Sequence, residues 1–222
     1  MPFFEPISPP PPEEHEQAER VWAPPRWDRP SEGTLPVTFA VSQLFGRTVN
    51  AAFALDHLRV YPNGFQLVVT VIANPRLPPE LHMGGFASFS LMATAKTTSA
   101  DEDKPNPPPP PPRIRLRGGM LDMAPRLGIR FSNGQSAGSA PQSMFEVAKD
   151  EEGVPTQPVI VGGGGGGGGG HFRFEYWVFP LPTPGRLEVF AEWPLAGMEE
   201  TSVVISGDDV LDASRRAIIL WS

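Results

Sequence analysis

The chain has no cysteine among its 222 residues. Disulfide frameworks, thiolate nucleophiles and cysteine-ligated zinc or iron–sulfur centres are therefore excluded together. Basic residues are also scarce, with 18 Lys and Arg against 25 Asp and Glu and a formal net charge of −7. General nucleic-acid or anionic-membrane binding needs a basic field, so neither nucleic acid nor membrane is an expected partner. No apolar run approaches the ~20 residues of a spanning helix. The start Met1-Pro2-Phe3-Phe4-Glu5-Pro6 lacks the basic region and apolar run of a secretory signal. With no Asn-x-Ser/Thr sequon either, the expected location is cytoplasmic.

Proline and glycine are abundant instead, 29 and 23 residues, and both are clustered. Ten prolines lie within residues 1–36, seven within 105–112, and nine glycines form one block, Gly162 to Gly170. The first 33 residues are acidic and proline-rich, which predicts a disordered or polyproline II tail. Trp22 and Trp27 are unusual in such a tail and suggest that one or both fold back on the domain or anchor a partner.

From Thr34 to the end the pattern is that of a single domain built of strands. Val37, Phe39 and Val41 alternate with smaller or polar residues, and Leu127, Ile129 and Phe131 do the same. Leu55–Tyr61 and Phe65–Ile72 flank Asn63-Gly64, and Leu127–Phe131 leads into Asn133-Gly134. Asn-Gly favours the positive φ angles of tight hairpin turns. Phe172, Phe174, Tyr176 and Val178 share one strand face, with Trp177 and Phe179 on the other. After the corner Pro180–Gly185, residues Leu187, Val189, Ala191 and Trp193 read as the return strand of a central hairpin. Thr201–Ile205 predicts a further strand, and Ser206-Gly207-Asp208-Asp209 starts one short helix running to about Ala217.

The prediction is an all-β fold, an antiparallel, immunoglobulin-like β-sandwich with one short C-terminal helix, the alternative being a closed β-barrel. Long flexible loops are expected at about 96–112 and 138–170, the second including the glycine tract, because polyglycine buries no side chain and loses the most backbone entropy on ordering.

Motifs for chemistry fail on context. Gly134-Gln135-Ser136-Ala137-Gly138 matches the nucleophile elbow G-x-S-x-G but lacks the following helix and the parallel sheet. The glycine tract lacks the Lys-Ser/Thr and the helix of a phosphate-binding loop. His15, His57, His82 and His171 have no zinc-motif spacing, although a site drawn across the fold from His57, His82 or His171 with carboxylates remains an alternative. Pro108, Pro111 and Arg113 formally match P-x-x-P-x-R, a match that any proline run before an arginine supplies. No catalytic, metal-binding or cofactor-binding residue is assigned, and no cofactor is expected.

The block Glu175-Tyr176-Trp177-Val178-Phe179-Pro180-Leu181-Pro182-Thr183-Pro184-Gly185-Arg186-Leu187, with Glu192-Trp193-Pro194 and the preceding glycine tract, resembles a set of uncharacterised proteins from high-GC actinobacteria. The resemblance covers roughly residues 34–222. It implies a cytosolic, β-rich bacterial domain and carries no activity or site residues. The leading expectation is a non-enzymatic module that binds a protein partner or a second copy of itself, with Trp22, Trp27, Trp177, Phe179 and Trp193 as candidate contact residues. A small-ligand binder or enzyme with a site built from inter-strand loops is the alternative.

Overall fold

The computed structural model describes residues 27–49, 51–76, 125–139, 147–193 and 197–221. Among them are eleven strands and one helix: β1 (Thr34–Leu35), β2 (Val37–Arg47), β3 (Ala51–Tyr61), β4 (Gly64–Ala73), β5 (Arg126–Arg130), β6 (Ser136–Gly138), β7 (Val159–Gly168), β8 (His171–Phe179), β9 (Arg186–Trp193), β10 (Met198–Ser206), α1 (Gly207–Arg215) and β11 (Ile218–Ile219). A five-stranded sheet ordered β2-β3-β4-β8-β7 packs on a four-stranded sheet ordered β10-β9-β5-β6, and β1 pairs with β11. All pairings are antiparallel. The sheets do not close, so the fold is a β-sandwich with a short helix and not a barrel.

Alternation explains the core. Phe53, Leu58, Val60, Phe65, Leu67, Val69, Val71, Tyr176 and Val178 of the larger sheet meet Leu127, Ile129, Leu187, Val189, Ala191, Trp193, Val203 and Ile205 of the smaller one. Helix α1 closes one end through Val210 and Ala213, both fully buried. Its start is the one the sequence predicts, since the Ser206 hydroxyl accepts from the Asp209 amide at 3.2 Å. Asp208 and Asp209 occupy the positive end of the helix dipole.

Four expectations are corrected. First, β8 and β9 do not form a hairpin, because β8 lies between β4 and β7 while β9 lies between β10 and β5 of the opposite sheet. The Pro180–Gly185 corner carries the chain across the sandwich, and alternation alone cannot distinguish a return strand from a crossing one. Second, the glycine tract is not a loop: Gly162–Gly168 extends β7 along β8 to Gly168↔His171. Only Gly169 and Gly170 turn, with φ of 59° and 83°, the two positive values of a type I′ hairpin.

Third, Asn63 and Gly64 do not take positive φ. Gly64 closes the turn opposite Tyr61, and a Cβ there would lie 2.6 Å from Trp177 Cζ2 and against the Val178 carbonyl. Glycine is needed for space at that position. The other Asn-Gly behaves as expected, with Gly134 at φ 87° in a three-residue loop closed by Phe131 N–H to Gln135 O at 2.8 Å. Fourth, the region 138–170 also holds β7 and a bridge between Lys149 and Pro155. The expected loop at 96–112 lies outside the described residues.

Candidate interaction surfaces

The nominated aromatic residues are mostly committed to the fold. Trp193 is buried between the sheets beside Phe53, with ring centroids 6.4 Å apart. Trp177 lies on the outer face of the larger sheet and is nonetheless buried, edge-on to Tyr61 at 5.8 Å. Trp27 buries it: the Trp177 indole N–H donates to the Trp27 carbonyl at 2.8 Å. The Trp27 ring is itself buried, with Lys149 Nζ 5.0 Å from its centroid. Asn63 fastens the same strap, accepting from Ser31 N–H at 3.1 Å and donating to the Arg29 carbonyl at 3.0 Å. Residues 27–33, which composition assigns to the tail, therefore lie on the sandwich. Phe179 is half-buried and Trp22 lies outside the described residues.

Apolar exposure is found elsewhere. Leu35 of β1, Ile218 and Ile219 of β11, Leu220 and Trp221 are 49–75% exposed, with Trp221 at the upper limit. Pairing Thr34↔Ile219 and Leu35↔Ile218 places Leu35 and Ile218 on one face of a short ribbon and Ile219 on the other, so both faces carry exposed apolar side chains. The Leu220 N–H donates to the Gly33 carbonyl at 2.8 Å. Gly33 is at φ 66°, and a Cβ built there would lie 3.3 Å from Trp221 Cε3, so the indole rests on bare backbone. The sequence presents Ile218–Trp221 as four apolar residues after a helix, a pattern that reads as burial. Among the described residues, β11 pairs only with the two-residue β1.

The second surface is the free edge of β7. Gly162 and Gly164–Gly168 are exposed, and no described strand pairs with β7 on the side away from β8. On the outer face beside it an open trough of about 640 Å³ is lined by Gly164–Gly168, Thr70, Arg173 and Glu175. Polar groups meet here: Arg173 lies 3.9 Å from Asp56, Arg59 lies 3.5 Å from Glu175, and His57 Nδ1 lies 3.2 Å from Asp56. Pairs this exposed contribute little to stability. The Thr70 hydroxyl and the Gln66 Oε1, on the same face, are buried without a hydrogen-bond partner.

The alternative of a histidine site finds little support. His57 and His171 lie on this face at different levels, His57 opposite Val68 and His171 opposite Ile72, about 13 Å apart along the strands. His82 is outside the described residues, and among the described residues no three His, Asp or Glu side chains gather in a metal-holding group. Ser136 begins β6, Ser136–Gly138, directly after the turn. Among the described residues no helix is long and apolar enough to cross a membrane. Compared with protein-family models, curated proteins and solved structures, the chain has no significant match.

Proposed function

We propose that this protein is a non-enzymatic β-sandwich that binds a protein partner through the patch formed where β1 meets β11. The observation that carries the reading is the exposure of Leu35, Ile218, Ile219, Leu220 and Trp221 on and just beyond a short two-stranded ribbon. Clustered apolar side chains at the surface mark interaction sites, and tryptophan is enriched among the residues that dominate binding energy. Arg215 and Arg216, at the end of α1 just before the patch, provide a polar rim of the kind that borders such interfaces. The proposal includes a cytoplasmic location and kinship with the actinobacterial proteins that the Glu175–Leu187 block resembles.

Both Ile219 and Trp221 are already in water, so the variants Ile219→Asp and Trp221→Ser leave the fold intact. Affinity capture from the host, quantified by mass spectrometry against these variants, tests the proposal. A protein held by the wild-type chain and lost at least about thirtyfold from both variants, a hot-spot-sized effect, is the expected result. An identical set of captured proteins from all three overturns it.

A further inference from the structure

We infer that β7 is a self-pairing edge: two copies join antiparallel through their polyglycine strands about a two-fold axis at Gly166, making one continuous ten-stranded sheet. This inference rests on the edge alone and is independent of the patch at β1 and β11.

The register follows from the hairpin. In a two-residue type I′ hairpin the residues that flank the turn form a hydrogen-bonded pair, here Gly168↔His171. Counting back by twos, Gly166↔Arg173 and Gly164↔Glu175 are also hydrogen-bonded pairs. Gly165 and Gly167 alternate with them, so their N–H and C=O groups point away from β8 to the open edge. Four outward groups result, two donors and two acceptors. Placed antiparallel against a second copy with Gly165 opposite the other copy's Gly167, all four find partners in both chains, and Gly166 lies opposite itself.

The ends of the edge fit the same axis. The register irregularity of β7 falls between Gly162 and Gly164, and the turn begins at Gly169. Position 163 and position 169 are each three residues from Gly166, so the irregularity of one copy meets the turn of the other. Natural edge strands are guarded by lysine, proline or charged side chains. Residues 162–168 have none.

Charge and area define the kind of dimer. Each copy carries a formal charge of −7, and the glycine tract is the uncharged seam at which two such copies meet with least repulsion. The two Arg173 side chains face each other from strands about 14 Å apart, three inter-strand spacings, beyond the Debye length of about 8 Å at physiological salt. An edge contact without side chains buries less than the roughly 1,200 Å² of a stable complex. The pairing is accordingly weak and concentration-dependent.

The absence of native cysteine makes the test direct. A Cβ at Gly162, Gly164, Gly166 or Gly168 meets nothing within 4 Å, so single cysteine variants at these positions fold. In a non-hydrogen-bonded antiparallel pair the Cα atoms are about 4.5 Å apart, within disulfide reach. Under mild oxidation at micromolar protein, Gly166→Cys should form a disulfide dimer at least about tenfold faster than Gly162→Cys or Gly164→Cys alone, because pairing raises the local thiol concentration. Gly164→Cys mixed with Gly168→Cys should cross-link as a heterodimer at a rate comparable to Gly166→Cys. Equal rates at all positions, no cross-linking, or Gly164→Cys faster than Gly166→Cys would each overturn the inference. None of those results bears on the capture experiment.

Discussion

Alanine placed in turn at Gly162, Gly164, Gly165, Gly166, Gly167 and Gly168 should give an alternating response. At 162, 164, 166 and 168 the new methyl enters open space. Glycine in a strand interior costs about 0.5–1 kcal/mol relative to alanine, so these variants gain that amount. For a chain of this size 1 kcal/mol moves Tm by about 2–4 °C, which gives rises of about 1–4 °C. At Gly165 the methyl would lie 2.9 Å from the Arg173 carbonyl oxygen and 3.2 Å from Phe174 Cδ1. At Gly167 it would lie 2.6 Å from Phe172 Cα and against the His171 carbonyl. Overpacking of this kind costs about 1–3 kcal/mol. Because no described strand pairs with β7 on its other side, it can yield, the lower part of that range applies, and Tm should fall by about 2–6 °C. Differential scanning fluorimetry at one low protein concentration reads all six. A uniform response, with 165 and 167 behaving like 164 and 166, is what a slack loop would give and would refute the strand.

Gly64→Ala should displace the Trp177 ring and weaken its bond to the Trp27 carbonyl, costing about 1–3 kcal/mol and shifting tryptophan emission to the red; unchanged emission would contradict the strap. Ser206→Ala removes the acceptor for the Asp209 amide and should cost about 1 kcal/mol, seen as a fall in Tm that Ser206→Asp largely restores. Tyr176 donates to the Pro125 carbonyl at 2.7 Å, and burial pushes its phenol well above the ordinary value of 10. The folded phenol holds its proton after the unfolded one has lost it. This contribution is therefore complete below pH 10 and is lost progressively as pH rises beyond it. Tyr176→Phe should be less alkali-sensitive than wild type in urea melts between pH 9 and pH 11, and equal slopes would contradict the assignment.

Where side chains carry the signal, the sequence is a good guide. Alternation in Val37–Val41, Leu127–Phe131 and Phe172–Val178 marks β2, β5 and β8, Gly134 marks a turn, and Ser206 marks the start of α1. Glycine has no side chain to show a period of two, so β7 is invisible to pattern and is revealed only by its pairing with β8. The Pro180–Gly185 corner is equally ambiguous, since strands that cross between sheets bury alternate residues just as hairpin partners do. The interaction surfaces follow suit. Trp27, Trp177 and Trp193 are apolar residues that the fold consumes, whereas Trp221, just beyond the two-residue β11, is exposed.

The ordering of the glycine tract is tested most directly by amide hydrogen exchange on ¹⁵N-glycine-labelled protein at a concentration low enough to keep it monomeric. With Gly164, Gly166 and Gly168 bonded to β8 and Gly165 and Gly167 facing outward, the first three amides should exchange at least about tenfold more slowly than the other two, since protection follows hydrogen bonding within the fold. Fast, uniform exchange across Gly162–Gly170 would contradict an edge strand, and with it the surface on which two copies are inferred to meet.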